Sequence, residues 1–326
     1  MYDVAEHAGV SHQTVSRVLN GFAGIRPETR ERVLAAIREV GYRPNLAART
    51  LATRRTRSIG VLAPATADFG PVSTVQAVER AIRAAGYQPL ATSTPIESAA
   101  ARESLELLLD QAVEAVVVVA PYRIVLDEAA RAAEGLPLVL LQTGEPDDVT
   151  VDQALGARLA VRHLVGLGHR RIQLVTGPPD FVEAGIRRDA AHDELQRTGI
   201  APLPDVPADW TADAGYAAAV ALDPGTTAVV CGNDRLALGL IHGLADRGLR
   251  VPDDVAVVGF DDIPEAAHSL PPLTTLHQDF EEVGRRAVAR VLAQLEGTAP
   301  DAGADAGAPI DPWLVERGST APPRRR

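Results

Sequence analysis

Apolar positions follow two regimes along the chain. Through the first forty or so residues they recur at helical spacing, with Val4, Ala5 and Ala8 in one stripe and Val15, Val18 and Leu19 in a second. Val33, Leu34, Ile37 and Val40 make a third, so three short amphipathic helices are predicted there. Gly9 permits a tight left-handed turn between the first two, and the Ser11 hydroxyl can cap the second. Asn20-Gly21 reads as a helix stop, and Arg26-Pro27-Glu28-Thr29 opens the third helix with Pro in its first turn. From Arg57 onward the pattern changes to short, continuous apolar runs: Ile59-Gly-Val-Leu-Ala, Tyr87–Thr92, Ala115–Ala120, Leu138–Leu141, Ile172–Thr176, Ala228–Cys231 and Val255–Gly259. Amphipathic stretches such as Val72–Ala85, Arg102–Gln111, Gly156–Leu167 and Leu236–Arg247 separate them. Strands apolar throughout, alternating with helices, predict parallel sheets covered on both faces. There are too many units for one ordinary sheet, so the fold class is α/β: an all-α head followed by a body of two parallel-sheet lobes.

The second predicted helix turns His12, Gln13, Ser16 and Arg17 outward from its first turn. Polar, hydrogen-bonding side chains at the start of a short helix suit a DNA major groove, although an ordinary surface hairpin would show the same pattern. Charge bears on that choice. The net charge of −11 over 326 residues argues against nucleic acid when taken globally. Its distribution argues the other way, because residues 1–57 carry ten Arg against five Asp and Glu, and the remainder carries 22 Arg against 38 acids. A basic head on an acidic body is the footprint of a DNA reader whose other part does something else. The chain has no lysine.

Other classes of function find little support. There is no metal-spaced His/Cys cluster, no G-x-x-x-x-G-K-S/T loop and no G-x-S-x-G elbow, so no enzyme and no cofactor is implied. His163 and His169 flank a predicted helix end and read as surface or helix-terminus histidines. Cys231, the only cysteine, sits in an apolar strand and reads as an inert core thiol. No apolar run is long enough to span a membrane, and no leader precedes the first motif, so a cytoplasmic protein is expected.

Asp3-Val-Ala-Glu-His-Ala-Gly-Val-Ser-His-Gln-Thr-Val-Ser-Arg-Val-Leu-Asn20 resembles the amino-terminal signature of the LacI/GalR family of bacterial transcription regulators, and the likeness runs to about Thr320. The resemblance implies a helix-turn-helix head at 1–43, a hinge helix and linker at 44–57, and an effector-binding and dimerisation body at 58–326. Lobe one of that body would hold about 58–150 and 279–309, and lobe two about 151–278 and 310–320. Ser11, His12, Gln13, Thr14, Ser16, Arg17 and Asn20 fall at DNA-contacting positions. Asn45, Ala48 and Leu51 match the hinge helix, with Leu51 as the leucine that wedges between base pairs in the minor groove. Relatives carry several residues before the position of Tyr2, including a capping Thr, which suggests a start placed too far downstream or a shortened form of the chain.

Ligands of open α/β sheets sit beyond the carboxyl ends of the strands, where Gln142, Asn233-Asp234 and Asp261-Asp262 lie. The family match adds Arg187, Trp210 as a stacking ring, Gln278 and Phe280 closing the pocket, and Phe69, Gly70 and Pro71 from the other lobe. There are departures: Gln142 stands where a sugar-binding member has an aspartate, Asp68 and Phe69 replace a small or aliphatic wall, and Arg188 follows Arg187. The expected partners are palindromic double-stranded operator DNA, a second copy of the chain in a homodimer, and a small effector, a sugar such as a galactoside, acting as inducer. No membrane partner is expected. A purine corepressor or a protein partner is the alternative regulation, and a periplasmic sugar-binding protein the alternative class. The leucine-heptad tail of tetrameric members is absent, and a low-complexity acidic stretch follows Glu296.

Overall fold

The computed structural model describes residues 1–19, 22, 24–42, 55–133, 135–145, 148–298 and 308–323. It divides into two compact units, Met1–Thr56 and Arg57–Arg326.

Within the first unit the predicted helices form as α1 (Tyr2–Ala8), α2 (His12–Leu19) and α3 (Pro27–Glu39). Gly9 ends α1 at φ 62°, the left-handed conformation in which glycine has no Cβ to clash. Met1 stands at the N-cap of α1 and supplies no side-chain cap. Val4, Ala5, Ala8, Val15, Val18, Val33 and Ala36 make the core. Two of the expected core residues are not in it: Leu34 and Val40 are each 39% exposed. Two short helices cover only one narrow face of α3, so Val33 and Ala36 fill the contact and the neighbouring apolar positions stay outside. Asn20 and the whole of the expected hinge segment with Asn45, Ala48 and Leu51 lie outside the described residues.

The second unit holds two four-stranded parallel sheets. The first has order β2-β1-β3-β4, from β1 (Ser58–Pro64), β2 (Gln88–Thr94), β3 (Ala115–Val119) and β4 (Leu138–Leu141). The second has order β6-β5-β7-β8, from β5 (Ile172–Thr176), β6 (Val206–Pro207), β7 (Ala228–Cys231) and β8 (Ala256–Val258). β9 (Thr275–His277) and β10 (Trp313–Val315) pair antiparallel. The helices are α4 (Phe69–Ala84), α5 (Ser98–Asp110), α6 (Arg123–Ala132), α7 (Gln153–Gly166), α8 (Val182–Arg197), α9 (Ala212–Ala221), α10 (Asp234–Asp246) and α11 (Phe280–Glu296).

The first sheet is buried on both faces, which is why all five residues of β3 are buried. Ile59, Val61, Val117 and Val139 face Val78 of α4 and Val283, Ala287 and Val291 of α11. Leu62, Val116 and Val118 face Leu105 and Leu108 of α5 and Val125 of α6. That second cluster continues through Tyr122 and Phe181 to Trp210 and the α9–α10 side of the second sheet. Two connecting segments run side by side, with Asp152 N–H donating to Ile310 C=O at 2.9 Å and Ile310 N–H to Thr150 C=O at 2.8 Å. Helices α9 and α10 approach backbone to backbone: a Cβ on Gly239 would lie 1.8 Å from the Ala212 carbonyl oxygen, and one on Gly215 2.1 Å from that of Leu236.

Candidate functional site

On α2, Ser11, His12, Gln13 and Arg17 are exposed, and Thr14 and Ser16 half-buried. Ser11 caps the helix, its Oγ accepting from Thr14 N–H at 3.2 Å. Tyr2 of α1 stacks on His12 with ring centroids 5.3 Å apart, and the Arg17 guanidinium lies 5.6 Å from the Phe22 ring centre. The polar row thus has two members held by aromatic neighbours before any nucleic acid is met. His12 is pre-oriented by a residue outside its own helix.

In the second unit the carboxyl ends of both sheets face a common cleft. Asp68, Phe69, Gly70 and Pro71 line a cavity there from the β1–α4 turn, opposite Phe181, Glu183 and Arg187 of the α8 start and Trp210, Asn233 and Asp261. Seven expected effector residues therefore meet: Phe69, Gly70, Pro71, Arg187, Trp210, Asn233 and Asp261. The other three stand around them. Gln142 and Gln278 are buried behind the wall, and Phe280 packs edge-on against Phe69 at 5.9 Å.

A buried polar chain runs through the cleft. Gln142 Nε2 donates to Glu183 Oε2 at 3.3 Å, and Gln153 Nε2 donates to Glu183 Oε1 at 3.0 Å and to Gln278 Oε1 at 2.8 Å. Gln278 Nε2 in turn donates to Asp261 Oδ1 at 2.7 Å. Arg187 is braced from three sides: Nε donates to Gln153 Oε1 at 2.8 Å, Nη1 to the Gly232 carbonyl at 2.6 Å, and the guanidinium lies over Phe260 at 3.9 Å. Its charge sits 3.8 Å from Glu183 and 4.0 Å from Asp261.

One buried cation thus faces two buried acids, and both cannot ionise cheaply in a poorly hydrated site. Burial raises the proton affinity of Glu183, opposed by Arg187 and the two amides. Burial likewise pushes Asp261 up to about 8, with Arg187 working against the shift and Asp234 and Glu183 reinforcing it. Burial therefore shifts both carboxyls toward the protonated form, with Arg187 opposing the shift in each, and a protonated carboxyl can donate a hydrogen bond.

Among the described residues two buried side-chain polar atoms have no hydrogen-bond partner, Gln142 Oε1 and Trp210 Nε1. Such groups are rare in folded proteins and mark a place where a ligand or water completes the network. One is an acceptor and the other a donor, the pair that hydroxyl groups satisfy. Asn233, by contrast, uses both ends of its amide: Oδ1 accepts from Leu236 N–H at 2.8 Å as the N-cap of α10, and Nδ2 donates to the Trp210 carbonyl at 3.2 Å. It positions the tryptophan while lining the cavity.

Trp210 lies over Gly177 and Gly232, where a Cβ would come within 2.0 and 3.0 Å of the indole. Asp234 and Asp262 are turned to structural work. Asp234, pushed up to about 6 by burial, accepts from Ile263 N–H at 2.8 Å and from the Thr275 hydroxyl. Asp262 pairs with Arg317 at 2.6 Å and His277 at 2.9 Å. Of the surface or helix-terminus places expected for the two histidines, His169 takes the second: it follows the end of α7, is 1% exposed, and is bonded to the Thr227 hydroxyl and the Ala321 carbonyl. The carboxy-terminal segment folds over it, an event invisible in the local pattern.

Glu183, Gln153 and Phe181 join the site without having been anticipated as ligand residues, and Asp68 stands in the wall where the resemblance placed it. Glu183 and Arg187 are four apart, a spacing that reads equally well as a solvated helix pair. Only burial separates the two cases. Among the described residues no group of His, Cys, Asp and Glu could hold a metal ion, and no helix is long and apolar enough to cross a membrane.

Comparison with known proteins agrees with this arrangement. The profile of the bacterial regulatory proteins of the lacI family matches residues 1–45, and that of the periplasmic binding protein-like domain matches 161–320. The lactose operon repressor of Escherichia coli (strain K12) is 35% identical over 92% of this chain and 85% of its own. The chain belongs to the LacI family. The HTH-type transcriptional regulator MalR of Streptomyces coelicolor is 36% identical over 98% of this chain and 96% of its own. Among solved structures, the lac repressor dimer bound to operator and the anti-inducer ONPF matches with a TM-score of 0.86 and 34% identity, covering 98% of each chain. This LacI-type transcriptional regulator thus has the helix-turn-helix head and the periplasmic-binding-protein-like body of its family. Its relatives are transcriptional regulators and not enzymes.

Proposed function

We propose that this LacI-family regulator is a dimeric repressor that holds a near-palindromic operator and is released by a neutral sugar bound between its lobes. Ser11, His12, Gln13, Thr14, Ser16, Arg17 and Asn20 read the major groove, and Asn45, Ala48 and Leu51 of the hinge segment enter the minor groove. The head spans 1–43, the hinge 44–57, and the two lobes of the body the residues around the two sheets. Regulation is by binding and not by catalysis, and the protein acts in the cytoplasm.

The observation that carries the effector reading is the pair of unpartnered buried atoms, Gln142 Oε1 and Trp210 Nε1. Together with Arg187 and a protonated carboxyl they offer a neutral polyol both donors and acceptors. Asp68, Glu183 and Asp261 outnumber Arg187 on the cavity wall, which disfavours a phosphorylated ligand. The relative named for the lactose operon, and the repressor dimer bound to operator and an anti-inducer, fit the same reading.

A thermal-shift screen against neutral sugars, sugar phosphates and purines tests it. A ligand at 100 times its dissociation constant adds about 2.7 kcal/mol of stability to the native state. A selective shift with a neutral sugar supports the proposal, and a shift with a purine alone replaces it with a corepressor.

A further inference from the structure

The head holds a large apolar side chain that its core does not use. Phe22 is 57% exposed and stands apart from the cluster of Val4, Val15, Val18 and Val33. Its backbone is nevertheless fixed on both sides. The Phe22 N–H donates to the Arg17 carbonyl at 2.9 Å, and the Phe22 carbonyl accepts from Arg30 Nη2 of α3 at 2.9 Å. A ring left in water contributes little to folding, so hydrophobic burial does not account for its place.

What the ring meets is Arg17. That arginine is exposed in the last turn of α2, and Phe22 follows the helix end at Leu19. The guanidinium lies over the ring, 5.6 Å from its centre, within reach of the attraction between a cation and an aromatic face. Among the described residues no carboxylate pairs with Arg17.

This kind of partner suits an arginine whose donors are needed elsewhere. An arginine reads guanine through in-plane N–H groups that meet O6 and N7 together. A carboxylate neighbour would occupy those same donors. An aromatic face leaves them free, yet it restricts the rotatable bonds of an exposed side chain before DNA arrives. Arg187 in the body shows the opposite case, with N–H groups taken up by Gln153 Oε1 and the Gly232 carbonyl.

We propose that Phe22 is a specificity-determining positioning residue: its ring holds the Arg17 guanidinium in the pose that reads one base pair of each half-site. The inference rests on the reading that Arg17 contacts bases in the major groove, and it goes beyond that reading. It gives a residue off the recognition helix control over how strictly that base pair is chosen. Without the ring, Arg17 samples poses that accept other bases or reach only a phosphate.

Selection of bound duplexes from a random library by the full chain, followed by anisotropy titrations on the selected operator and its single-base-pair variants, tests it. Arg17→Ala identifies the base pair that Arg17 reads. Phe22→Ala, which keeps both backbone bonds, lowers discrimination at that base pair by about two- to fivefold, the worth of an exposed cation–aromatic contact. Preferences at the other positions stay as they were. Phe22→Tyr restores the discrimination, and in an Arg17→Ala background Phe22→Ala has no further effect. Undiminished discrimination in Phe22→Ala, or a loss uniform over all sequences, overturns the proposal alone. So does an equal loss with and without Arg17, because the ring would then touch DNA itself. No enriched sequence, or an Arg17→Ala protein that keeps every preference, overturns the base-reading role of Arg17 and this proposal with it.

Discussion

At the scale of single residues the cleft is governed by one cation and two acids removed from water. Replacing Arg187 by Met leaves Glu183 and Asp261 buried without a counter-charge, and breaking a buried pair in this way costs about 3–5 kcal/mol. Chemical denaturation of Arg187→Met at pH 7 is expected to show a loss of that order; a loss under about 1 kcal/mol would mean that the acids do not depend on Arg187. The raised Asp261 also makes a statement about pH. In the unfolded chain an Asp releases its proton near pH 3.9, but the folded site holds it to about 8. Between those values the native state binds more protons than the unfolded state, so this group's contribution to stability falls as pH rises across the window. Asp234 acts in the same direction up to about pH 6. Asp261→Asn is therefore expected to flatten the decline in stability between pH 6 and 8, where Asp234 has finished titrating, and an unchanged slope in denaturation curves across that range would count against the assignment. Trp210→Phe is a milder probe. It keeps an aromatic ring and removes the unpartnered N–H, so effector affinity should drop about 3- to 10-fold, the worth of one hydrogen bond, alongside a lower melting temperature from the space the smaller ring leaves over Gly177. An unaltered affinity would show that the indole N–H does not face the ligand.

At the scale of elements, two helices illustrate what periodicity can and cannot carry. α2 was legible because its apolar residues fall on one side and its polar ones on the other. Gln13→Ala and Arg17→Ala should each weaken operator binding by about 1–3 kcal/mol and relax preference at one base pair per half-site. Fluorescence anisotropy with operator variants measures both effects, and a loss that is uniform over all sequences would reassign the residue to phosphate. α9 carries no comparable stripe, because Ala212–Ala221 is nearly all alanine and small residues. Its place is set by close backbone approach to α10 through Gly215, Gly239 and Gly243, a contact that depends on the absence of side chains. Gly239→Ala forces a methyl into the Ala212 carbonyl and should destabilise the body by at least about 1–3 kcal/mol, the usual range for overpacking, read as a lower melting temperature. α3 corrects the simplest use of the pattern: four apolar positions at helical spacing gave a buried face in expectation, but only the part under α1 and α2 is covered.

At the scale of the whole molecule the two units make separable demands on the solution. Operator affinity belongs to the basic head, where ten arginines stand against five acids in the first 57 residues. Each phosphate neutralised contributes about −0.9 to the slope of log affinity against log salt. Effector binding belongs to an enclosed polar network and should be nearly indifferent to salt. Coupling between the two is reciprocal: if effector lowers operator affinity by some factor, operator lowers effector affinity by the same factor. Effector titrations with and without a saturating operator duplex measure it, and independence of the two affinities would refute the proposed release mechanism.

What the sequence by itself determined were the properties that repeat over a few residues. Helical and all-apolar periods marked the head and the parallel strands, Gly9 marked a turn, and the strand ends marked where Asn233 and Asp261 would be found, while Arg187 and Trp210 came from the family resemblance. The tertiary structure decided the electrostatics and the shape of the site. Glu183 becomes a buried acid only because Gln142 and Gln153 are carried to it from other elements and close over the pair it makes with Arg187 of its own helix, and it meets Asp261 across 78 residues of chain. A groove past Phe181 exists only because the ends of β2 and β3 face the start of α8. Periodicity is a local quantity set by the backbone's own geometry. Desolvation, charge pairing and concavity are set by which distant segments come together, and no window of the sequence contains them.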